Sequence, residues 1–269
     1  MRELDHLRDI IHNYDSFVID LWGVVHNGIK PFEGAIKTIE ELHNNNKKYY
    51  FLSNAPRPVN DVRKFLNKKM KIDEKFLKNI LTSGEAAINS IKNFDYGKLF
   101  FHLGPERDKK IYQGLDDYKT GLKECDYILC TGLYDDEMNE LSFYEKLLEN
   151  SLDKKLICTN PDLVVDKGSM QEYCAGSIAR IFEKKGGRVL YFGKPYKEIY
   201  NSIVKEQDKT LIIGDNLRTD IKGANLIKKD SVFILNGIHK NEIDNLNKLD
   251  DTLKKYNVKT NFIQKQLNW

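Results

Sequence analysis

Long apolar runs are missing from this chain: no segment approaches the roughly 20 consecutive apolar residues that a bilayer-spanning helix needs. A helical membrane protein is therefore not expected. An excess of one charge is missing too. Forty-three basic residues stand against 40 acidic ones, a net charge of +3, so no strong field exists to draw in nucleic acid or a membrane surface. Runs such as "NKKMK" read as solvated faces. Cysteine is sparse, with Cys125, Cys130, Cys158 and Cys174 forming no CxxC pair and having no close His partner. That disfavours a zinc site and a disulfide framework, and leaves free or buried thiols in a reducing compartment. The opening "MRELDHLRDIIHNYD" is charged and helix-patterned without an apolar core, which argues against a signal peptide. The expected location is the cytoplasm.

What is present suits a soluble globular protein. The 269 residues are 41% hydrophobic and 11% aromatic, enough for one large or two medium cores. Apolar runs bounded by turn residues ("FVID", "KYYFLSN", "NILTS", later "LYFG" and "TLIIGDN") alternate with helical patterns. This alternation predicts an α/β fold with a parallel sheet. "GAIKTIEELHNNN" carries Ile36, Ile39 and Leu42 at helical spacing, and "PYKEIYNSIVKEQ" repeats the pattern through Ile199 and Ile203. The middle of the chain has strands of its own ("KLFFHLG", "YILCTG", "KLICTN") and helices of its own ("LSFYEKLLEN", "AGSIARIFEKKGG"). Residues 94–188 are therefore expected to form an inserted α/β lobe between 1–93 and 189–269. The tail "KLDDTLKKYNVKTNFIQKQLNW" reads as a terminal helix or strand without a legible function.

In parallel α/β sheets, ligands sit beyond the carboxyl ends of the strands. Four such ends carry suggestive groups: Asp20 after "FVI", Ser53 and Asn54 after "YYFL", Lys194 after "LYFG", and Asp215 after "TLIIG". A carboxylate can attack phosphorus, but two anions repel unless a divalent cation and a lysine offset the charge. Asp215 and Asp220 in "GDNLRTD" are hard oxygen ligands suited to Mg²⁺, and Ser53 with neighbouring backbone N–H groups could cradle phosphate oxygens.

Four motifs in order, "FVIDLWGVV", "FLSNAPR", "FGKP" and "IGDNLRTDI", with "CTNPD", "YCAGSI" and "GG" in the middle lobe before "FGKP", resemble the haloacid dehalogenase superfamily. The resemblance covers nearly the whole chain and is closest to the NagD-like class IIA phosphatases with a large α/β cap. It implies a Rossmann-like core with residues 94–188 as the cap, Mg²⁺ as cofactor and a small phosphorylated metabolite as substrate. It also leaves a cap-mediated homodimer open. By the same resemblance Asp20 is nucleophile and metal ligand, the Trp22 backbone carbonyl and Asp215 are further ligands, and Asp220 holds the outer shell. Ser53 binds the transferring phosphoryl group, Asn54 orients it and Lys194 neutralises charge beside Asp20. Arg57, Gly176 and Ser177 are candidates for substrate contact.

One position departs from the pattern. Two residues after the nucleophile, most family phosphatases carry a second Asp that protonates the leaving group; Trp22 cannot do this. Positioned acid–base catalysis is worth about 10² to 10⁴-fold, so a slow hydrolase is expected unless another group substitutes. His26 has a suitable intrinsic pKa for that substitution, although a turn-capping role in "HNGIKPFEG" is the simpler reading. Two other functions stay open: a phosphate-binding protein with impaired catalysis, and a metal-independent dehalogenase, against which "GDNLRTD" speaks.

Overall fold

The computed structural model describes residues 1–137, 140–243 and 246–269. In chain order the strands are β1 (Arg2–Glu3), β2 (Ser16–Ile19), β3 (Lys48–Ser53), β4 (Ile80–Thr82), β5 (Phe100–Leu103), β6 (Tyr127–Cys130), β7 (Lys155–Cys158), β8 (Val164–Lys167), β9 (Met170–Tyr173), β10 (Arg188–Tyr191), β11 (Thr210–Gly214), β12 (Asp230–Ile234) and β13 (Phe262–Gln264). Seven of them form a main sheet in the order β1-β13-β12-β11-β2-β3-β4, and four form a smaller sheet in the order β10-β7-β6-β5. Every pairing in both is parallel. The α/β expectation is met. β8 and β9 make a separate antiparallel hairpin.

Strand alternation explains why the main sheet is covered on both faces. Phe17 and Ile19 of β2 pack with Phe51, Leu211 and Ile213 under α1 (Glu33–Asn44) and α2 (Val59–Lys68). Val18, between them, points the other way and packs with Leu52, Ile212 and Tyr200. α1 uses the apolar spacing read from the sequence: Ile39 and Leu42 are buried. The segment after "FGKP" is different. Only Lys197–Tyr200 is helical, although Ile199 and Ile203 are buried as their spacing implies.

The smaller sheet has its own two apolar layers. Ile128, Cys130, Leu156 and Cys158 face α4 (Leu141–Leu148) and α5 (Ala175–Lys184) through Tyr144 and Phe182. Phe100, Tyr127, Leu129 and Ile157 face the opposite way, against Ile88 and Ile91. Those two isoleucines belong to α3 (Ser83–Lys92), which starts at the end of β4 in the main sheet. α3 therefore joins the two sheets. The "LYFG" stretch, expected in the main sheet, lies in the smaller one: Arg188–Tyr191 pairs with Lys155–Cys158. Its apolar residues satisfy either sheet, and register decides. The tail supplies both elements considered, a helix at Leu246–Tyr256 and strand β13, which fills the main sheet between β12 and β1.

Candidate active site

The carboxyl ends of the two sheets converge on one cavity of about 300 Å³. Asp20, Ser53, Asp215 and Asn236 reach it from β2, β3, β11 and β12, while Pro105, Thr131 and Asn160 reach it from β5, β6 and β7. The Asp20 backbone continues the ladder of β2 by donating to Ile213 O at 2.9 Å, which fixes its side chain at the sheet end. Lys194 Nζ donates to Asp20 Oδ1 and, at 2.7 Å, to Asp220 Oδ1. Asp215 Oδ2 accepts from the Ile238 N–H at 2.8 Å. The "DLWG" turn needs its glycine: Gly23 has φ +87°, and a Cβ there would stand 2.1 Å from Asp215 Oδ2. A side chain at residue 23 would displace a carboxylate of the centre.

Carboxylate oxygens of Asp20, Asp215 and Asp220 lie within 4.8 Å of one another, and all three residues are buried. Burial pushes the Asp20 carboxyl up to about 8 despite the opposing pull of Lys194, and Asp220 adds to the rise. Asp215 is held well above the carboxylate range by burial and by the charges of Asp20 and Asp220. Burial disfavours the charge on Lys194, yet Asp20, Asp220 and Asp162 together hold it firmly protonated. One ammonium cannot offset the charge of all three carboxylates in a desolvated place, so without a further cation Asp20 and Asp215 are held toward their protonated forms. A hard divalent cation offsets the remaining charge. The donor set therefore fits Mg²⁺, with Asp20 and Asp215 as side chains that would hold it and Asp220, bonded to Lys194 Nζ and Asn216 N, beside them in the outer shell.

Ser53 lines the cavity at the end of β3, its Oγ accepting from Ala55 N at 3.2 Å. Asn54 also lines the cavity, but its amide is engaged by the backbone of Lys194. Nδ2 donates to Lys194 O at 3.2 Å, and Oδ1 accepts from Lys194 N at 2.8 Å. Asn54 thus positions the lysine. Arg57 lines the cavity and pairs through Nε with the buried Asp108 at 2.6 Å, tying the main-sheet loop to the smaller lobe.

Three candidates sit elsewhere. His26 is buried and absent from the cavity lining. Its Nδ1 accepts from Gly28 N at 3.0 Å, and its ring packs edge-on against Trp22 and Phe65. Burial lowers it to about 4, so it is neutral and serves as the turn cap. Gly176 and Ser177 are inside α5 and do not line the cavity. A Cβ on Gly176 would lie 2.3 Å from Pro161 O, and Ser177 Oγ donates to Leu163 O at 2.6 Å. They brace the 160–163 loop because helix and loop pack too closely for anything larger.

That loop delivers a further carboxylate. Asp162 lines the cavity, accepts from Asn216 Nδ2 at 3.2 Å, and is raised by burial to about 6. "NPD" reads as turn chemistry; only the fold brings it opposite Asp220. Trp22 lines the cavity, and its Nε1 donates at 2.6 Å to Asp166 O in β8.

The fold and this centre define a class: α/β proteins with a carboxylate cluster and a lysine at the ends of a parallel sheet, roofed by a second sheet. Residues 17–116 match the family described as haloacid dehalogenase-like hydrolase, and residues 191–267 match one described as HAD-hydrolase-like. A haloacid dehalogenase-like hydrolase from Brucella suis 1330 is 31% identical in sequence, and its crystal structure superimposes with a TM-score of 0.86 over 99% of this chain and 100% of that one. The acid sugar phosphatase of Staphylococcus haemolyticus is 26% identical over 245 residues, 84% of this chain and 87% of that protein. The 5'-nucleotidase YutF of Bacillus subtilis is 23% identical over 246 residues, 85% and 90% of the two chains. The chain belongs to the haloacid dehalogenase-like hydrolase family.

Proposed function

We propose that the protein is a Mg²⁺-dependent phosphatase of small organic phosphates, with a core domain on the main sheet and a cap that extends past the expected 94–188 to include all of β10, Arg188–Tyr191. The carrying observation is Lys194 bridging Asp20 and Asp220, with Asp215 alongside, at the floor of a cavity near the small end of the roughly 300–1,000 Å³ range for ligand sites. The relatives' activities on sugar phosphates and nucleotides support a phosphate ester as substrate.

Asp20 attacks phosphorus; the Asp20 Oδ–P bond forms as the ester P–O bond breaks, giving an aspartyl phosphate and the leaving alkoxide, which takes its proton from water. Lys194 holds Asp20 in place and balances charge as the dianion approaches, and Ser53 meets the phosphoryl oxygens. Water then hydrolyses the acyl phosphate and restores Asp20. Mg²⁺ would be held by Asp20, Asp215 and the Trp22 backbone carbonyl, with Asp220 in the outer shell, and would supply charge neutralisation. Trp22 offers no proton to the leaving oxygen, so good leaving groups are favoured. Nitrophenyl phosphate should turn over about 10² to 10⁴ times faster than an alkyl phosphate of similar size. Four buried, unpaired cysteines suit a reducing cytoplasm, and among the described residues no helix is long and apolar enough to cross a membrane.

The test is phosphate release over a set of small esters, with and without Mg²⁺, beside Asp20→Asn. Activity should need the metal and fall by roughly 10⁴-fold or more in the variant. Release that survives Asp20→Asn sinks the reading. Trp22 in the acid position favours one second reading, a phosphate-binding protein without turnover. Phosphate binding by an inactive wild type, with turnover gained in Trp22→Asp, would select it.

A further inference from the structure

The β8–β9 hairpin forms one wall of the cavity through Val164, Val165, Asp166, Glu172 and Tyr173. None of its eight strand residues is fully buried. A two-stranded hairpin without a buried face is marginal in water, so its place depends on what tethers it. Among the described residues three bonds do so, and each runs to a main-sheet loop. Trp22 Nε1 donates to Asp166 O at 2.6 Å, Gly168 N donates to Asn27 O at 3.2 Å, and Lys240 Nζ meets Asp166 Oδ2 at 2.8 Å. Two of the three anchors lie in the turn directly after Asp20.

We propose that Trp22 is a positioning residue: its indole N–H pins the hairpin over Asp20, so residue 22 sets the shape of the substrate cavity. An aspartate at 22 has no donor for Asp166 O and is too short to carry a ring to the hairpin. The proposal rests on the phosphatase reading only for its kinetic consequence. The tether itself is a property of the fold.

The test is amide hydrogen exchange on the full-length protein, wild type beside Trp22→Phe, which keeps the ring and removes the donor, and Lys240→Met, which removes the parallel tether. A single hydrogen bond is worth about a fivefold change in an opening equilibrium. Amides of 164–173, Gly168 above all, should therefore exchange about fivefold faster in each variant, while those of β6 stay as in wild type. With nitrophenyl phosphate, Trp22→Phe should raise KM by a similar factor. Unchanged hairpin exchange in both variants overturns the proposal, and so does faster exchange spread equally to β6, which would mean general loosening. The exchange result stands whether or not the protein hydrolyses phosphate, so a failed activity assay would count against the phosphatase reading alone.

Discussion

Two parallel sheets point their carboxyl ends at the same cavity, and they furnish it differently. The main sheet contributes Asp20 and Asp215, with Asp220 just beyond. The smaller sheet contributes Thr131, Gly132 and Asn160, with Asp162 only after a further turn. Equivalent topology has therefore been given unequal chemistry, with the cluster of three carboxylates on the main-sheet side. Lys194 crosses between the two sheets. It follows β10 of the smaller sheet, yet its ammonium lies on the carboxylates of the main one, so the charged centre closes only when both halves are in place.

The strongest challenge to this contrast is Lys194→Met. It leaves buried carboxylates without their cation, and should cost about 3–5 kcal/mol of stability in the metal-free protein, read as a shift in denaturant midpoint. Mg²⁺ at saturating concentration should recover about 2–3 kcal/mol. No shift would mean that the centre is not the electrostatic focus described.

Each half also holds a buried histidine, His26 in the loop after β2 and His102 in β5. Burial lowers both to about 4, with Lys119 adding to the effect at His102. Because folding depresses these values below the ordinary 6.5, the unfolded chain takes up protons first as pH falls. The stability they contribute is complete above about 6.5 and is lost between there and about 4, up to roughly 3 kcal/mol for each. His26→Gln and His102→Gln should each flatten the acid side of a stability–pH curve. Equal slopes in wild type and both variants would refute the assignment.

The smallest effect should come from the smaller sheet. Thr131→Val removes a hydroxyl that meets His102 Nε2 at 2.9 Å, and should cost about 1 kcal/mol. A loss as large as that of Lys194→Met would erase the contrast between the two ends.

Legibility in the sequence followed distance along the chain. Asp20, Ser53 and Asp215 could be read because each ends an apolar run that folds into a strand wherever it is placed. α1 could be read from the periodicity of Ile39 and Leu42. "LYFG" is expected in the main sheet but pairs in the smaller one, because a short apolar run suits either and the pairing of Arg188–Tyr191 with Lys155–Cys158 is a tertiary choice. His26 looked chemically able, but its burial against Phe65 has no local signal. Gly176 and Ser177 were read as facing substrate, whereas the close passage of Pro161 turns them to bracing.

The sequence alone determined the kinds of strand and helix, their order, and which side chains would stand at the strand ends, since these follow from neighbours within a few residues. Only the tertiary structure decided which of those ends face one another. It laid Lys194 across two carboxylates, set Asp162 opposite them, and brought the indole of Trp22 to a carbonyl 144 residues away. Such meetings depend on how two sheets pack around α3 and the loops between them, and no local pattern encodes that.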